Sequence, residues 1–280
     1  MIETTPMELL LSPLFSGSSG NAVYVGAGRT GILVDAGVSC ARVVSEMKAT
    51  GIDPAALSAI LITHEHSDHV AGAGILSRKF DLPIYATEGT WSAMAEKLGA
   101  VSAKNIRVIE SGQDFYIGDL DISPFPLPHD AADPCGYAFT CGRLRAAIAT
   151  DIGCLREGWL KAVSGCELVL LESNYDPGML KAGRYPYALK TRILGTKGHL
   201  SNEDAGRAAC RLVESGVRSL ILGHLSRENN FPELALETVR LALTDAGVKV
   251  GTDAELTVAS RDHASGMFAV RDGFDLIRRA

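Results

Sequence analysis

Thr63-His64-Glu65-His66-Ser67-Asp68-His69 gathers three imidazoles and two carboxylates into seven residues. It follows a strand-like apolar run, Ala59 to Thr63, and precedes a helical pattern from His69 to Phe80. At a strand end, side chains at positions 64 and 66 point the same way. As the chain turns into the helix, Asp68 and His69 face a second point a few ångströms off. The spacing H-x-H-x-D-H thus offers two ligand pairs for two adjacent cations. Imidazole with carboxylate suits Zn²⁺, Mn²⁺ or Fe²⁺ and is poor for Ca²⁺. A polar surface turn explains one histidine, not this pattern, and Glu65 reads as a solvent-facing or supporting residue.

Two cations need further ligands, and three more strand-like runs end on suitable residues. Leu120 to Leu127 leads to Pro128-His129-Asp130, Leu144 to Thr150 leads to Asp151, and Ser219 to Leu222 leads to Gly223-His224-Leu225. Any one of these histidines alone would be more often structural than ligating. Together they complete a count: His64, His66 and His129 on one cation; Asp68, His69 and His224 on the other; Asp151 bridging.

The rest of the chain supplies a framework. Further apolar runs bounded by Gly, Pro and Asp read as strands, among them Glu8 to Leu14, Ala22 to Val25, Gly31 to Asp35, Tyr137 to Cys141 and Glu167 to Glu172. Helical patterns cover Ser39 to Ala49, Glu88 to Leu98, Phe231 to Ala246 and Asn202 to Ser215, the last opened by a Ser201/Asp204 capping box. The segment Val248 to Ala280 reads as closing strands or a helix. The pattern predicts two packed sheets with helices outside, in a single domain over 1–280. With 46% hydrophobic and 21% charged residues the chain has an ordinary globular composition. The start, Met1-Ile2-Glu3, carries an acid where a signal peptide carries bases, and no run is long enough to span a bilayer. Six scattered cysteines without a C-x-x-C pair suit buried free thiols in a reducing cytoplasm.

The net charge of −6 argues against a protein that coats nucleic acid broadly. One segment departs from that balance: Pro177 to Asn202 holds Lys181, Arg184, Lys190, Arg192 and Lys197 and no acid. Charge runs are usually solvated faces, but a one-signed run this long reads as a strip facing nucleic acid, with Lys190 and Arg192 on a short helix from Pro186 to Leu194. Two divalent cations, two aspartates and a hydroxide would leave the site with one formal positive charge, which suits an anionic substrate.

The string His64-x-His66-x-Asp68-His69, then His129, Asp151 and His224 in that order, resembles the metallo-β-lactamase-fold hydrolases over nearly the whole chain. The resemblance implies a four-layer αββα sandwich of two mixed β-sheets flanked by helices, with a dinuclear site at one edge. Gly198-His199-Leu200-Ser201 adds a histidine surplus to the ligand set. Beside a helix start and five bases it suits protonation of a leaving oxygen, although a cap-region role is the ordinary explanation of such a residue. With Gly223 to Arg227 it resembles the phosphodiesterase branch that includes tRNase Z.

Within that branch Ser16 to Asn21, Glu172 to Asp176, Tyr185 to Lys190 and Gly198 to Asn202 are similar to segments of the WalJ/YycJ-type exonucleases. The early Pro-x-Lys-x-Arg-Asn loop and long arm of tRNase Z are missing, and the interval from Asp151 to His199 is too short for a β-CASP domain. The resemblance implies a cytoplasmic DNA exonuclease acting from a 5′ end. It would have two divalent metal ions (Zn²⁺ or Mn²⁺, with Fe²⁺ acceptable), a bridging hydroxide as nucleophile, Asp68 orienting it and His199 assisting departure. Ser19, Asn21, Asn174, Lys190, Arg192 and Ser201 are the expected substrate contacts. Turn, cap and packing roles compete for each of them, and for Tyr185 and Tyr187. Two alternatives stand: a hydrolase of a small cyclic phosphodiester or thioester, and a catalytically idle metal-containing nucleic-acid binder. Polarity, strand preference and oligomeric state are not legible in the sequence.

Overall fold

The computed structural model describes residues 7–271 and 277–279, so the acid-bearing start read above falls outside the described residues. The strands run β1 (Glu8–Phe15), β2 (Ala22–Ala27), β3 (Thr30–Val34), β4 (Leu57–Leu61), β5 (Ile84–Thr87) and β6 (Ile106–Ile109). A second series is β7 (Phe115–Ile117), β8 (Leu120–Pro126), β9 (Cys135–Cys141), β10 (Leu144–Ala149), β11 (Leu168–Glu172), β12 (Ser219–Gly223) and β13 (Glu255–Val258). The tail resolves into strands, β14 (Met267–Arg271) and β15 (Ile277–Arg279), which return to the first sheet beside β1. The eight-stranded sheet has the order β15-β14-β1-β2-β3-β4-β5-β6, and the seven-stranded sheet β13-β12-β11-β10-β9-β8-β7. Each is mixed, with parallel pairing from β3 to β6 and from β10 to β13.

The central strands are apolar on both faces because both faces are covered. On β9, Tyr137 and Phe139 face the opposing sheet with Leu11, Val25, Ile32, Ile148 and Leu170. Their neighbour Ala138 faces outward with Trp159, Leu212 and Val239. The first sheet's outer face packs on α1 (Cys40–Ala49), α2 (Ser67–Val70), α3 (Ala73–Phe80) and α4 (Glu88–Leu98), through Val43, Met47, Val70, Leu76, Met94 and Leu98. The second sheet is followed by α5 (Glu157–Val163), α6 (Pro177–Ala182), α7 (Tyr187–Leu194), α8 (Asn202–Glu214) and α9 (Pro232–Asp245). Of these α5, α8 and α9 cover its outer face, while α6 and α7 hold a small separate cluster around Tyr175, Leu180 and Ile193. This is the αββα sandwich.

Two expectations need correction. The helix expected from His69 to Phe80 is broken into α2 and α3. Gly72 between them donates its N–H to Ala36 O at 2.7 Å, and a Cβ there would lie 2.3 Å from Val38 O. The chain must press against the end of β3 as it leaves the histidine turn, which a continuous helix would prevent. The six cysteines are free thiols as expected, but Cys154 and Cys210 are only half-buried.

The two sheets meet along one edge in a hydrogen-bonded seam. Tyr137 Oη donates to Ile62 O at 2.8 Å, and Cys135 N–H donates to Thr63 O at 3.0 Å. His224 N–H donates to Ser16 Oγ at 2.9 Å. The strand ends that carry the candidate ligands lie along this seam.

Candidate metal centre

The turn after β4 delivers His64, His66, Asp68 and His69; the ends of β8, β10 and β12 deliver His129, Asp151 and His224. Two groups of donor atoms converge. His66 Nδ1 lies 3.0 Å from His64 Nε2 and 3.4 Å from His129 Nε2. Asp68 Oδ2 lies 3.6 Å from both His69 Nε2 and His224 Nε2. Asp151 reaches toward both groups, with Oδ1 3.7 Å from His129 Nε2 and Oδ2 3.4 Å from His69 Nε2. His64, His69, His129 and Asp151 are all buried. Asp151 Oδ2 and His224 Nε2 are buried without a hydrogen-bond partner. Orphaned buried polar atoms of metal-ligand type in a ring of imidazole nitrogens are costly unless a cation completes them. The donor set therefore fits divalent metal.

The imidazoles are aimed by their far nitrogens. His69 Nδ1–H donates to Asp35 Oδ2 at 2.8 Å, and His129 Nδ1–H to Gly198 O at 3.0 Å. His64 Nδ1 pairs with Thr63 Oγ1 at 3.0 Å, and that hydroxyl donates to Asp35 Oδ2 at 2.9 Å. His224 Nδ1–H donates to Glu172 Oε1 at 3.0 Å. Each pairing fixes the ring and turns the other nitrogen into the cluster, where it can offer a lone pair to a cation once any proton on it is displaced. Asp35, Asp151 and His224 hold φ near +60° (59°, 62° and 55°), so three of the four non-glycine residues with positive φ among the described residues border this site.

Glu172 has a second task. The same Oε1 accepts His199 Nδ1–H at 2.8 Å, while Oε2 accepts the N–H groups of Ile152 (2.7 Å) and Leu200 (3.1 Å). His199 thus stands beside the cluster, with its side chain 18% exposed and its ring centroid 5.1 Å from that of His129 and 5.3 Å from that of His224. Full burial would push the Glu172 carboxyl up, but His199 and His224 hold it well below the usual range. Burial likewise opposes a proton on His69, yet Asp151, Asp35 and Asp68 raise that imidazole to about 9. His224 is raised in the same manner by Asp151, Asp68 and Glu172 against its burial. His64 moves down, through desolvation and the neighbouring imidazoles. The field around Asp68, His69 and His224 therefore favours positive charge.

Sequence reading missed Asp35 and Glu172 as working residues. The signal was present in both: an acid ends the apolar strand of β3 and of β11, the pattern that marked Asp151. Glu65 has a defined place too, its Oε1 accepting Ala132 N–H at 3.0 Å and holding the loop that carries His129.

The expected substrate contacts divide. Asn21, Asn174 and Ser201 are buried and engaged in the scaffold. Asn21 Oδ1 accepts Gly17 N–H, and its Nδ2 lies 3.1 Å from His69 Nε2. Asn174 Nδ2 donates to His224 O at 2.7 Å, and Ser201 Oγ accepts Asp204 N–H as the cap of α8. Ser19 is exposed beside them. Lys190 donates to Lys181 O on the open face of α7. Arg192 makes a two-point ion pair with Asp130, next to His129 at the mouth of the site. Tyr187 is 85% exposed on the same helix.

Residues 30–225 match the family model of the beta-lactamase superfamily domain. The chain belongs to that superfamily and is a metal-dependent hydrolase. Two relatives match over most of the chain. Exodeoxyribonuclease YycJ of Bacillus anthracis is 39% identical over 89% of this chain and 95% of its own length. Exodeoxyribonuclease WalJ of Streptococcus pneumoniae is 40% identical over 91% and 95%. Among solved structures, the metallo-beta-lactamase fold protein YhfI of Bacillus subtilis superposes with a TM-score of 0.65 at 17% identity, over 93% of this chain and 99% of that one.

Proposed function

We propose that this protein is a dinuclear phosphodiesterase of the cytoplasm that removes nucleotides from DNA ends, acting from the 5′ end. The observation that carries the reading is His199. It is an imidazole outside both ligand groups, mostly buried with one side open to solvent, and fixed by a buried carboxylate. Hydrolysis of a phosphodiester expels an alkoxide, which needs a proton, whereas opening an activated ester or thioester does not. The near-full-length likeness to two proteins named exodeoxyribonucleases supports the same choice and DNA as the substrate.

His64, His66 and His129 would hold one cation and Asp68, His69 and His224 the other, with Asp151 shared. Bound there, divalent cations supply Lewis-acid polarisation of the phosphoryl group and an acidified water as the attacking species. Asp68, 27% exposed at the open side, would orient that water through its carboxylate. His199 Nε2 would give its proton to the departing 3′ oxygen while Glu172 steadies the imidazole through Nδ1. Arg192, Lys190 and Tyr187 would receive the strand along α7, with the Asp130 pair exchanging for a phosphate. Stacking on an exposed tyrosine tolerates any base.

The test is turnover of 5′-labelled duplex DNA, single-stranded DNA, RNA and bis-p-nitrophenyl phosphate by protein of measured metal content. Release of the 5′ label as a mononucleotide is expected, with stepwise shortening of a 3′-labelled duplicate, both abolished by His64→Ala or Asp68→Ala. Activity on the small ester alone would replace the nuclease reading with that of a small-substrate hydrolase.

A further inference from the structure

The basic strip on α7 lies at one end of the cluster, beside His129 through the Arg192–Asp130 pair. The other end, at Asp68, His69 and His224, is bordered by the turn from Ser16 to Gly20. Ser18 Oγ and His224 O share one donor, Asn174 Nδ2, at 3.2 and 2.7 Å. Asn21, which closes the turn, takes Asp68 O on its own N–H at 2.8 Å. The turn is pinned from beneath by Gly17 N–H to Asn21 Oδ1 and Ser16 N–H to Ser260 O. Ser18 and Ser19 are exposed at the tip of the turn, which Gly17 ties to Leu225 through a backbone bridge and Gly20 N–H closes onto Gly17 O at 2.9 Å.

Two arginines from distant segments close on this turn. Arg261 lays its stem on Gly17, where a Cβ would lie 2.9 Å from its Cγ, and donates Nη1 to Ser226 O at 2.9 Å. Arg42, in the first turn of α1, sits over the Phe15 ring at 4.6 Å and reaches Asp262 O at 3.5 Å. Both are held by carbonyls and a ring; among the described residues neither meets a carboxylate within ion-pair distance. The acids close by are otherwise engaged. Asp262 pairs with Arg227 at 2.5 Å, and Glu46 accepts Ala264 N–H at 2.8 Å. Two oriented guanidiniums without a carboxylate partner, next to an exposed serine turn, have the chemistry of an oxyanion receptor.

We propose that Arg42, Arg261 and the exposed Ser18–Ser19 turn bind a backbone phosphate of the nucleic-acid strand on the side of the metal centre away from α7. The proposal rests on the nucleic-acid reading above and extends it. The strand would be gripped at both ends of the cluster, with the scissile phosphate between the grips.

The test is fluorescence anisotropy of phosphorothioate-linked probes, a dinucleotide and a longer single strand, on metal-loaded protein. Arg42→Ala/Arg261→Gln should weaken the longer probe about tenfold and lower its salt slope by about one to two, with dinucleotide affinity held. Arg42→Ala alone, at an exposed position, should give a smaller loss of the same kind. The control is Arg240→Ala, which removes a charge from α9 and should change nothing. Equal affinity of parent and double variant for the longer probe overturns the proposal, as does an equal loss on the dinucleotide or with Arg240→Ala. Parent protein that binds with this dependence yet cuts no DNA keeps the receptor and removes the nuclease reading.

Discussion

In the proposed reaction His199 is the residue on which the chemistry turns, because it would add a proton donor that only poor leaving groups need. His199→Ala is expected to lower kcat on DNA by about 10²- to 10⁴-fold at normal metal content. The loss on bis-p-nitrophenyl phosphate, whose phenolate leaves without help, should be far smaller. Equal losses on both, or lost metal, would make His199 a ligand. The raised histidines give a second expectation. Without metal, His69 keeps its proton to about pH 9 and His224 well above its ordinary range. Their folded values lie above the unfolded ones, so at pH 7 both are charged and a cation must displace both protons. Zn²⁺ titration should then release about two protons per chain at pH 7, read from calorimetry in buffers of different ionisation heat. Uptake should weaken as the pH falls and level off above about 9.

At the scale of elements, the strand ends and close backbone approaches decide where donors stand. A Cβ at Gly37 would lie 1.6 Å from Asp68 O. Gly37→Ala should therefore displace the ligand turn, costing about 1–3 kcal/mol of stability and much of the metal. Ser201→Ala removes only the α8 cap and should cost about 1 kcal/mol with most metal retained. Denaturant melts paired with metal analysis separate the two. Much of this scale was legible in sequence. The apolar runs gave β4, β10 and β12, and a charged or imidazole residue at each end marked Asp151 and His224. The break at Gly72 was not, since it depends on contact with Ala36 and Val38 from another element. Nor were the roles of Asn21 and Asn174, whereas the Ser201 cap was readable from its capping box. Polar residues near a site look alike in sequence whether they face the substrate or hold the scaffold, and only tertiary hydrogen bonding separates them.

At the scale of the whole molecule the acidic balance and the anionic substrate coexist because the positive charge is local. It lies on α7, around Arg42 and Arg261, and at the metal centre itself. The ligands come from both sheets, so bound metal should hold the sandwich together. Metal bound at about 1,000 times its Kd adds about 4 kcal/mol to the folded state. Chelation should lower the Tm, and restored Zn²⁺ or Mn²⁺ should raise it. An unchanged Tm, recorded with verified loading, would mean that the site is not filled in the folded protein.

The seam between the sheets also sets when the protein can become active as it is made. The first sheet's donors, His64 to His69, emerge from the ribosome early, but Asp151, Glu172 and His199 follow much later and His224 last of all. A nascent chain stopped short of β12 already holds the His64, His66 and His129 group and the Glu172–His199 pair but lacks His224, so the second ligand group is incomplete. The second ligand group is thereby completed only once the chain has passed β12, so the metal centre cannot be whole until most of the protein is made.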